Sequence, residues 1–116
     1  MALRILVVED EMTIALYLED LLLELGHEVA GLAMRLPQAM EMAKSAEIDM
    51  AILDVNLDGR TSYPVADILA ARGVPFMFAT GYGLAGVEAP YNQRLIIKKP
   101  FNADDLRRAI AESGKV

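Results

Sequence analysis

Short apolar runs alternate along this chain with segments in which apolar residues recur at helical spacing. Apolar runs of this length, bounded by turn residues, are typical of strands buried in a parallel sheet. We place these predicted strands at 4–8, 28–33, 50–54, 75–80 and 95–98. The segments between them predict helices over 12–25, 37–45 and 62–72, with a last helix from 102 onward. The alternation predicts an α/β domain in which helices cover both faces of a parallel sheet through right-handed crossovers.

Two of the predicted helices begin at residues that commonly cap helices. Ser62 stands directly before Tyr63-Pro64, and proline suits the first turn of a helix. Asn102 stands before Asp104 and Asp105, whose negative charges suit the positive end of the helix dipole. We therefore expect the side chains of Ser62 and Asn102 to cap these helices.

The segment at 81–92 departs from the alternation. A helix is expected between the fourth and fifth strands, but Gly81, Gly83, Gly86 and Pro90 fall within this segment. Each glycine destabilises a helix by about 1 kcal/mol relative to alanine. We therefore expect the fourth helix to be short or mobile.

Composition narrows the class of protein. The chain has 116 residues, 54% hydrophobic and 24% charged, which predicts one globular domain over residues 1–116. No apolar run approaches the ~20 residues of a membrane helix. The absence of cysteine excludes disulfides and thiolate metal sites and agrees with a cytoplasmic location, which we expect. The net charge of −6 argues against a nucleic-acid partner and is compatible with a divalent cation.

Charged and polar residues follow four of the five predicted strands. They are Glu9, Asp10 and Glu11 after the first strand, Asp54 at the end of the third, Thr80 at the end of the fourth, and Lys98 and Lys99 after the fifth. Because the carboxyl ends of parallel strands share one edge of the sheet, we expect these groups to converge there. Carboxylates at close range repel each other unless a cation neutralises them, and oxygen ligands of this kind favour Mg²⁺.

A carboxylate held at such an edge can act as a nucleophile toward phosphorus. A metal ion, a hydroxyl and a lysine around it would stabilise the charge on the transferring oxygens. We therefore expect Asp54 to accept a phosphoryl group. The simpler alternative is a strand-end aspartate that caps a turn. His27, the single histidine, has no second histidine or cysteine with which to share a metal, so we expect an ordinary loop residue there.

Four groups of residues together match one known family. They are the string Val7-Val8-Glu9-Asp10-Glu11, Asp54 with Asn56 two residues on, Thr80, and the string Lys99-Pro100-Phe101. On these residues the whole chain resembles the receiver domain of bacterial response regulators. The resemblance implies a doubly wound five-stranded parallel sheet of the flavodoxin-like order 2-1-3-4-5. It also implies a phosphoacceptor in a two-component system or phosphorelay, rather than an enzyme.

The resemblance also implies a role for each matching residue. Asp54 would be the phosphoacceptor, and Thr80 and Lys99 would bind phosphoryl oxygens. Mg²⁺ would be held by Asp10, Asp54, the backbone carbonyl of Asn56 and Glu9, which stands where the family usually has aspartate. The Lys99–Pro100 bond would be cis.

A narrower resemblance covers residues 75–83. Pro75-Phe76-Met77-Phe78-Ala79-Thr80-Gly81-Tyr82-Gly83 is similar to the string that names a group of single-domain receivers, which are linked to histidine kinases of the HWE type. Ordinary receivers carry an aromatic residue where this chain has Ile96, so the usual aromatic switch is absent. We therefore expect the switch in 81–92, with Gly81, Gly83 and Tyr82 as candidates and Tyr91 as a second reporter.

Four functions remain to be compared. A receiver would take phosphate from a histidine kinase or a phosphotransfer protein, and would then signal by protein contact or act as a phosphate sink. An aspartate-based phosphatase would need a second acid where Asn56 stands, and a flavin binder would not have acidic residues in its first loop. A degenerate receiver that serves only as a docking module remains open, although the full residue set favours the first function.

Overall fold

Five parallel strands and four helices build the fold in the computed structural model, which describes residues 2–113 apart from the side chains at 83 and 84. The sheet consists of β1 (Arg4–Val8), β2 (Glu28–Ala33), β3 (Met50–Asp54), β6 (Phe76–Thr80) and β7 (Leu95–Lys98), and a separate hairpin pairs β4 (Asn56–Leu57) with β5 (Arg60–Thr61). The helices are α1 (Met12–Glu24), α2 (Leu36–Ser45), α3 (Tyr63–Arg72) and α4 (Ala103–Ser113). None of these helices is long and apolar enough to cross a membrane.

The strand order confirms the predicted topology. The sheet runs β2-β1-β3-β6-β7, and all of its pairings are parallel. Since β6 and β7 are the fourth and fifth predicted strands, this is the order 2-1-3-4-5. Successive side chains of a strand point to opposite faces, so each strand supplies two cores. Ile5 and Ile52 pack against α1 and α4, whereas Leu6 and Leu53 pack against α2 and α3.

Only the last helix has the predicted side-chain cap. The backbone N–H of Asp105 donates to Asn102 Oδ1 at 2.8 Å, and the N–H of Asn102 donates back to Asp105 Oδ2 at 3.1 Å. The predicted cap at Ser62 is wrong. Its backbone is close to helical, with φ −86° and ψ 8°, instead of the extended conformation of a capping serine. Its hydroxyl is buried and has no hydrogen-bond partner in the described part of the chain.

The segment between β6 and β7 contains little helix, as predicted. It holds two single-turn 3₁₀ helices, Gly83–Gly86 and Tyr91–Gln93, where the alternation would place an α-helix. Val87, between them, is buried in the core beneath α2 and α3. The hairpin of β4 and β5, directly after Asp54, is an element that our sequence analysis did not predict.

Candidate functional site

Three carboxylates meet at the carboxyl edge of the sheet. Glu9, Asp10 and Asp54 each place a carboxylate oxygen within 4.8 Å of the others. The register explains the convergence, because Val8 of β1 lies beside Leu53 of β3 and the acidic residues follow directly. Glu9 is held further by its backbone N–H, which donates to the carbonyl of Ala33 at 3.0 Å. The predicted acidic cluster is therefore formed, with Glu9 buried and the other two carboxylates partly exposed.

Lys99 supplies the cation of this cluster. Its Nζ lies 2.7 Å from Glu9 Oε1 and 3.5 Å from Asp54 Oδ1. Its backbone N–H donates to the carbonyl of Thr80 at 2.9 Å, which ties the start of the turn after β7 to the end of β6. The Lys99–Pro100 bond is cis, as the family resemblance implied. The sequence pattern did not predict that Glu9 would be the nearer partner of Lys99. The signal in the sequence was that Glu9 has a longer side chain than the aspartate usual in the family, so its carboxylate can reach further.

The close packing of these charges changes their protonation. Burial, a hydrogen bond with Glu9 and the charge of Glu9 raise the pKa of Asp54 from 3.8 to about 8. Burial alone would lower the pKa of Lys99, but its hydrogen bond to Glu9 and the charges of Asp54 and Glu9 raise it. Lys99 is therefore firmly cationic, whereas Asp54 binds a proton readily in the absence of another cation.

The unpredicted hairpin positions Asp10. The backbone N–H of Asp58, in its turn, donates to Asp10 Oδ2 at 2.9 Å, and Arg35 forms an ion pair with the Asp58 carboxylate at 3.0 Å. Asp58 and Gly59 have φ values of 51° and 86°, as the two central residues of a type I′ hairpin turn require. Asp-Gly between two short strands is a known signal for a hairpin turn, so this hairpin could have been predicted from the sequence.

The remaining predicted site residues, Thr80 and Asn56, form hydrogen bonds with groups other than Asp54. Thr80 ends β6 with a buried side chain, and its Oγ1 accepts a hydrogen bond from the Tyr82 N–H at 3.2 Å. Asn56 is exposed, and its Oδ1 accepts the N–H of Gly59 at 2.9 Å. Within residues 2–113, no hydrogen bond joins either of these side chains to Asp54. The structure thus gathers Glu9, Asp10, Asp54 and Lys99, and leaves Thr80 and Asn56 engaged elsewhere.

The predicted switch candidates differ in their surroundings. Tyr82 is 81% exposed, and Gly81 has open space where a Cβ would lie. Gly83 begins the first 3₁₀ helix. Tyr91, by contrast, stacks on Tyr63 of α3 with 4.1 Å between the ring centroids. In this structure Tyr82 is free of the core, whereas Tyr91 is packed.

Comparison with known proteins agrees with this geometry. The family model of the response regulator receiver domain matches residues 5–111. The chain belongs to this family. It is 36% identical to the phyllosphere-induced regulator PhyR of Methylorubrum extorquens over 119 residues, which cover 97% of this chain and 44% of PhyR. This receiver domain therefore spans about half the length of the curated relatives it matches.

Two solved structures are similar over almost the whole receiver domain. The solution structure of SdrG from Sphingomonas melonis Fr1 is 42% identical, with a TM-score of 0.87, and the match covers 97% of this chain and 96% of SdrG. The crystal structure of the anti-anti-sigma factor PhyR from Bartonella quintana is 28% identical, with a TM-score of 0.86, and covers 99% of this chain and 48% of that one. Receiver domains typically bind Mg²⁺ at an acidic cluster, and Glu9, Asp10 and Asp54 could hold such an ion.

Proposed function

We propose that this receiver domain takes a phosphoryl group from a histidine kinase onto Asp54, with Mg²⁺, in a cytoplasmic two-component system or phosphorelay. The observation that carries the proposal is the cluster of Glu9, Asp10 and Asp54 around the ammonium of Lys99. Asp54 is the member that stands at the end of a buried central strand. Its carboxylate is therefore carried by a buried strand, while 16% of the side chain remains exposed at the edge of the sheet.

The residues of the cluster fit Mg²⁺. Three carboxylates converge and one lysine ammonium contacts two of them, so the ionised cluster has an excess of negative charge that a divalent cation can neutralise. All of the donors are oxygens, which suits a hard cation. Asp10, Asp54 and the backbone carbonyl of Asn56 would hold the ion, with Glu9 beside them. When bound, Mg²⁺ would neutralise charge on the transferring phosphoryl oxygens.

The protein's own groups divide the remaining work. A carboxylate oxygen of Asp54 forms the bond to phosphorus while the bond from phosphorus to the donor breaks. The ammonium of Lys99, already 3.5 Å from Asp54 Oδ1, can pair with one phosphoryl oxygen. The hydroxyl of Thr80 can donate to another, once it leaves the place where it accepts the Tyr82 N–H. That movement would pull on Gly81, Tyr82 and Gly83, where we place the switch.

The surface of α1 supports a protein donor. Met12, Leu16 and Leu23 lie on α1 and are 52%, 45% and 56% exposed. Since α1 begins directly after the acidic residues that follow β1, a helix docked on this stripe would be brought close to Asp54. The string at 75–83 favours a kinase of the HWE type, or a phosphotransfer protein that it supplies. Phosphorylated Asp54 would then act by protein contact or drain phosphate from that kinase.

Acetyl phosphate tests the proposal without a kinase. The purified chain should gain the mass of one phosphoryl group in the presence of Mg²⁺ and none in the presence of a chelator. Asp54→Asn and Asp10→Asn should abolish the gain, the first by removing the acceptor and the second by removing a metal ligand. Asp20→Asn, a matched change on the exposed face of α1, should leave it intact. If the chain takes up no phosphoryl group, or if Asp54→Asn takes it up normally, the proposal is wrong and a docking module becomes the better explanation.

A further inference from the structure

Gly86 lies directly against the hydroxyl of Thr80. A Cβ added at Gly86 would stand 2.5 Å from Thr80 Oγ1 and 3.0 Å from the Cβ of Tyr82. Contacts shorter than 3.0 Å do not occur for real Cβ atoms, so any side chain at Gly86 requires its neighbours to move. Gly81, in the same segment, has nothing within 4 Å of its virtual Cβ. Gly81 therefore lacks the close approach that Gly86 makes, so glycine content alone does not account for it.

The backbone at Gly86 has little freedom to withdraw, because the residues after it are anchored to the core and to α3. Val87 is only 5% exposed, and the N–H of Glu88 donates to the hydroxyl of Tyr63 at 2.8 Å. Tyr91 stacks on Tyr63, and its hydroxyl donates to Asp67 Oδ1 at 2.9 Å. A side chain at Gly86 would therefore displace Thr80 and Tyr82 more readily than it would displace the anchored backbone.

Thr80 is held in a definite arrangement beneath Gly86. Its buried hydroxyl accepts the Tyr82 N–H at 3.2 Å, and its carbonyl accepts the Lys99 N–H at 2.9 Å. The carbonyl contact fixes the backbone next to the phosphoacceptor site, so the side chain is the part of Thr80 that can change place. The hydroxyl is therefore covered by Gly86 and bonded to the Tyr82 N–H, and it would have to leave this place before it could turn toward Asp54.

We propose that Gly86 is the positioning residue for Thr80. Because Gly86 has no side chain, the Thr80 hydroxyl fits into its resting place beside it. Gly86 thereby sets how readily that hydroxyl moves to a phosphoryl group on Asp54. The claim that the hydroxyl moves to a phosphoryl group rests on the proposed function. The claim that Gly86 makes room for the Thr80 hydroxyl concerns the contact alone. A methyl group at Gly86 should selectively destabilise the resting arrangement.

A double-mutant cycle tests the contact without any phosphoryl chemistry. Overpacking of this kind should lower the folding equilibrium constant of Gly86→Ala by roughly 5- to 30-fold in urea unfolding. In the Thr80→Ala background, where Oγ1 is gone, the same change should lower it by much less. Gly81→Ala is the matched control for added volume and should raise the constant or leave it unchanged. Equal effects of Gly86→Ala in the two backgrounds would overturn the inference.

Binding of beryllofluoride with Mg²⁺ tests the consequence for the site. Because the resting arrangement competes with the one that binds the phosphoryl mimic, Gly86→Ala should bind beryllofluoride more tightly, by up to roughly 5- to 30-fold. A residue with a merely structural role would leave the affinity unchanged or weaken it, and either result would overturn the positioning role. If beryllofluoride binds neither wild type nor variant, the proposed function and the positioning role fail together, and the unfolding cycle still decides the contact.

Discussion

Replacing Lys99 with methionine should destabilise the chain in a way that depends on pH. Methionine keeps most of the length of the side chain and removes its charge. The Glu9 carboxylate, whose side chain is only 1% exposed, would lose its 2.7 Å partner, and Asp54 would lose the cation 3.5 Å away. The Asp10 N–H would remain as a hydrogen-bond donor to Glu9 Oε2 at 3.1 Å. The variant would therefore retain the buried acids and lose the group that neutralises them.

The loss of folding free energy in Lys99→Met depends on pH because Asp54 changes its protonation. The raised pKa of Asp54, about 8, means that the folded chain holds a proton between pH 4 and 8 that the unfolded chain has released. Wild-type stability without metal therefore falls as pH rises through this window. Lys99 opposes the rise in the pKa of Asp54, so its removal raises that pKa further and lets the fall continue above pH 8. We expect Lys99→Met to lose about 3–5 kcal/mol near pH 8. Near pH 5, where the Asp54 carboxyl is neutral and still forms a hydrogen bond, the loss should be about 1–2 kcal/mol.

Urea unfolding of wild type and variant at the two pH values, with a chelator present, measures this difference directly. Lys98→Met is the matched control, because Lys98 is the adjacent, exposed lysine. Addition of Mg²⁺ near pH 8 should recover part of the lost stability, since the metal ion then neutralises the carboxylates that Lys99 neutralised. Equal losses at both pH values, or a loss no larger than that of Lys98→Met, would refute this account of the cluster.

Two further predictions concern parts of the fold away from the site. Asn102→Ala should reduce the free energy of unfolding by about 1 kcal/mol, because Asp105 loses its capping partner, and Asn102→Ser should keep most of it; thermal unfolding measures both. Burial lowers the pKa of His27, and its Nδ1 accepts the Leu3 N–H at 3.1 Å. Wild type should therefore lose stability relative to His27→Gln as pH falls below about 6.5, and a constant difference in urea midpoint between pH 7 and 5 would contradict this.

The parts of the fold that depend on pattern were predictable, and the parts that depend on contacts between side chains were not. The apolar runs predicted the strands of the sheet, because a buried strand must be apolar regardless of its neighbours. Asp54 and Thr80 could be placed at one edge because parallel strands all end there. The contact of Lys99 Nζ with Glu9 Oε1 at 2.7 Å was not predicted, because the extra methylene of glutamate is a weak signal until the fold shows how far the carboxylate reaches.

Two further features required the folded chain. The contact of Gly86 with Thr80 depends on how the segment after β6 returns over the sheet, and glycine content alone suggests only flexibility there. The cap at Ser62 failed because its backbone is not in the extended conformation of a capping serine, which residue type does not reveal. The hairpin at Asp58-Gly59, by contrast, was predictable from its turn residues.

The most direct test of the central claim is to locate the phosphoryl group on the chain. After reaction with acetyl phosphate and Mg²⁺, borohydride reduction converts an aspartyl phosphate to homoserine, which tandem mass spectrometry assigns to a position in the sequence. Our account predicts homoserine at the position of Asp54 and at none of the neighbouring acids. Glutamate cannot yield homoserine, so Glu9 does not confuse the assignment. Asp10 should stay unmodified because our account makes it a metal ligand. Modification at Asp10, or recovery of unmodified Asp54 from a chain that has gained phosphoryl mass, would contradict the assignment of Asp54 as the phosphoacceptor.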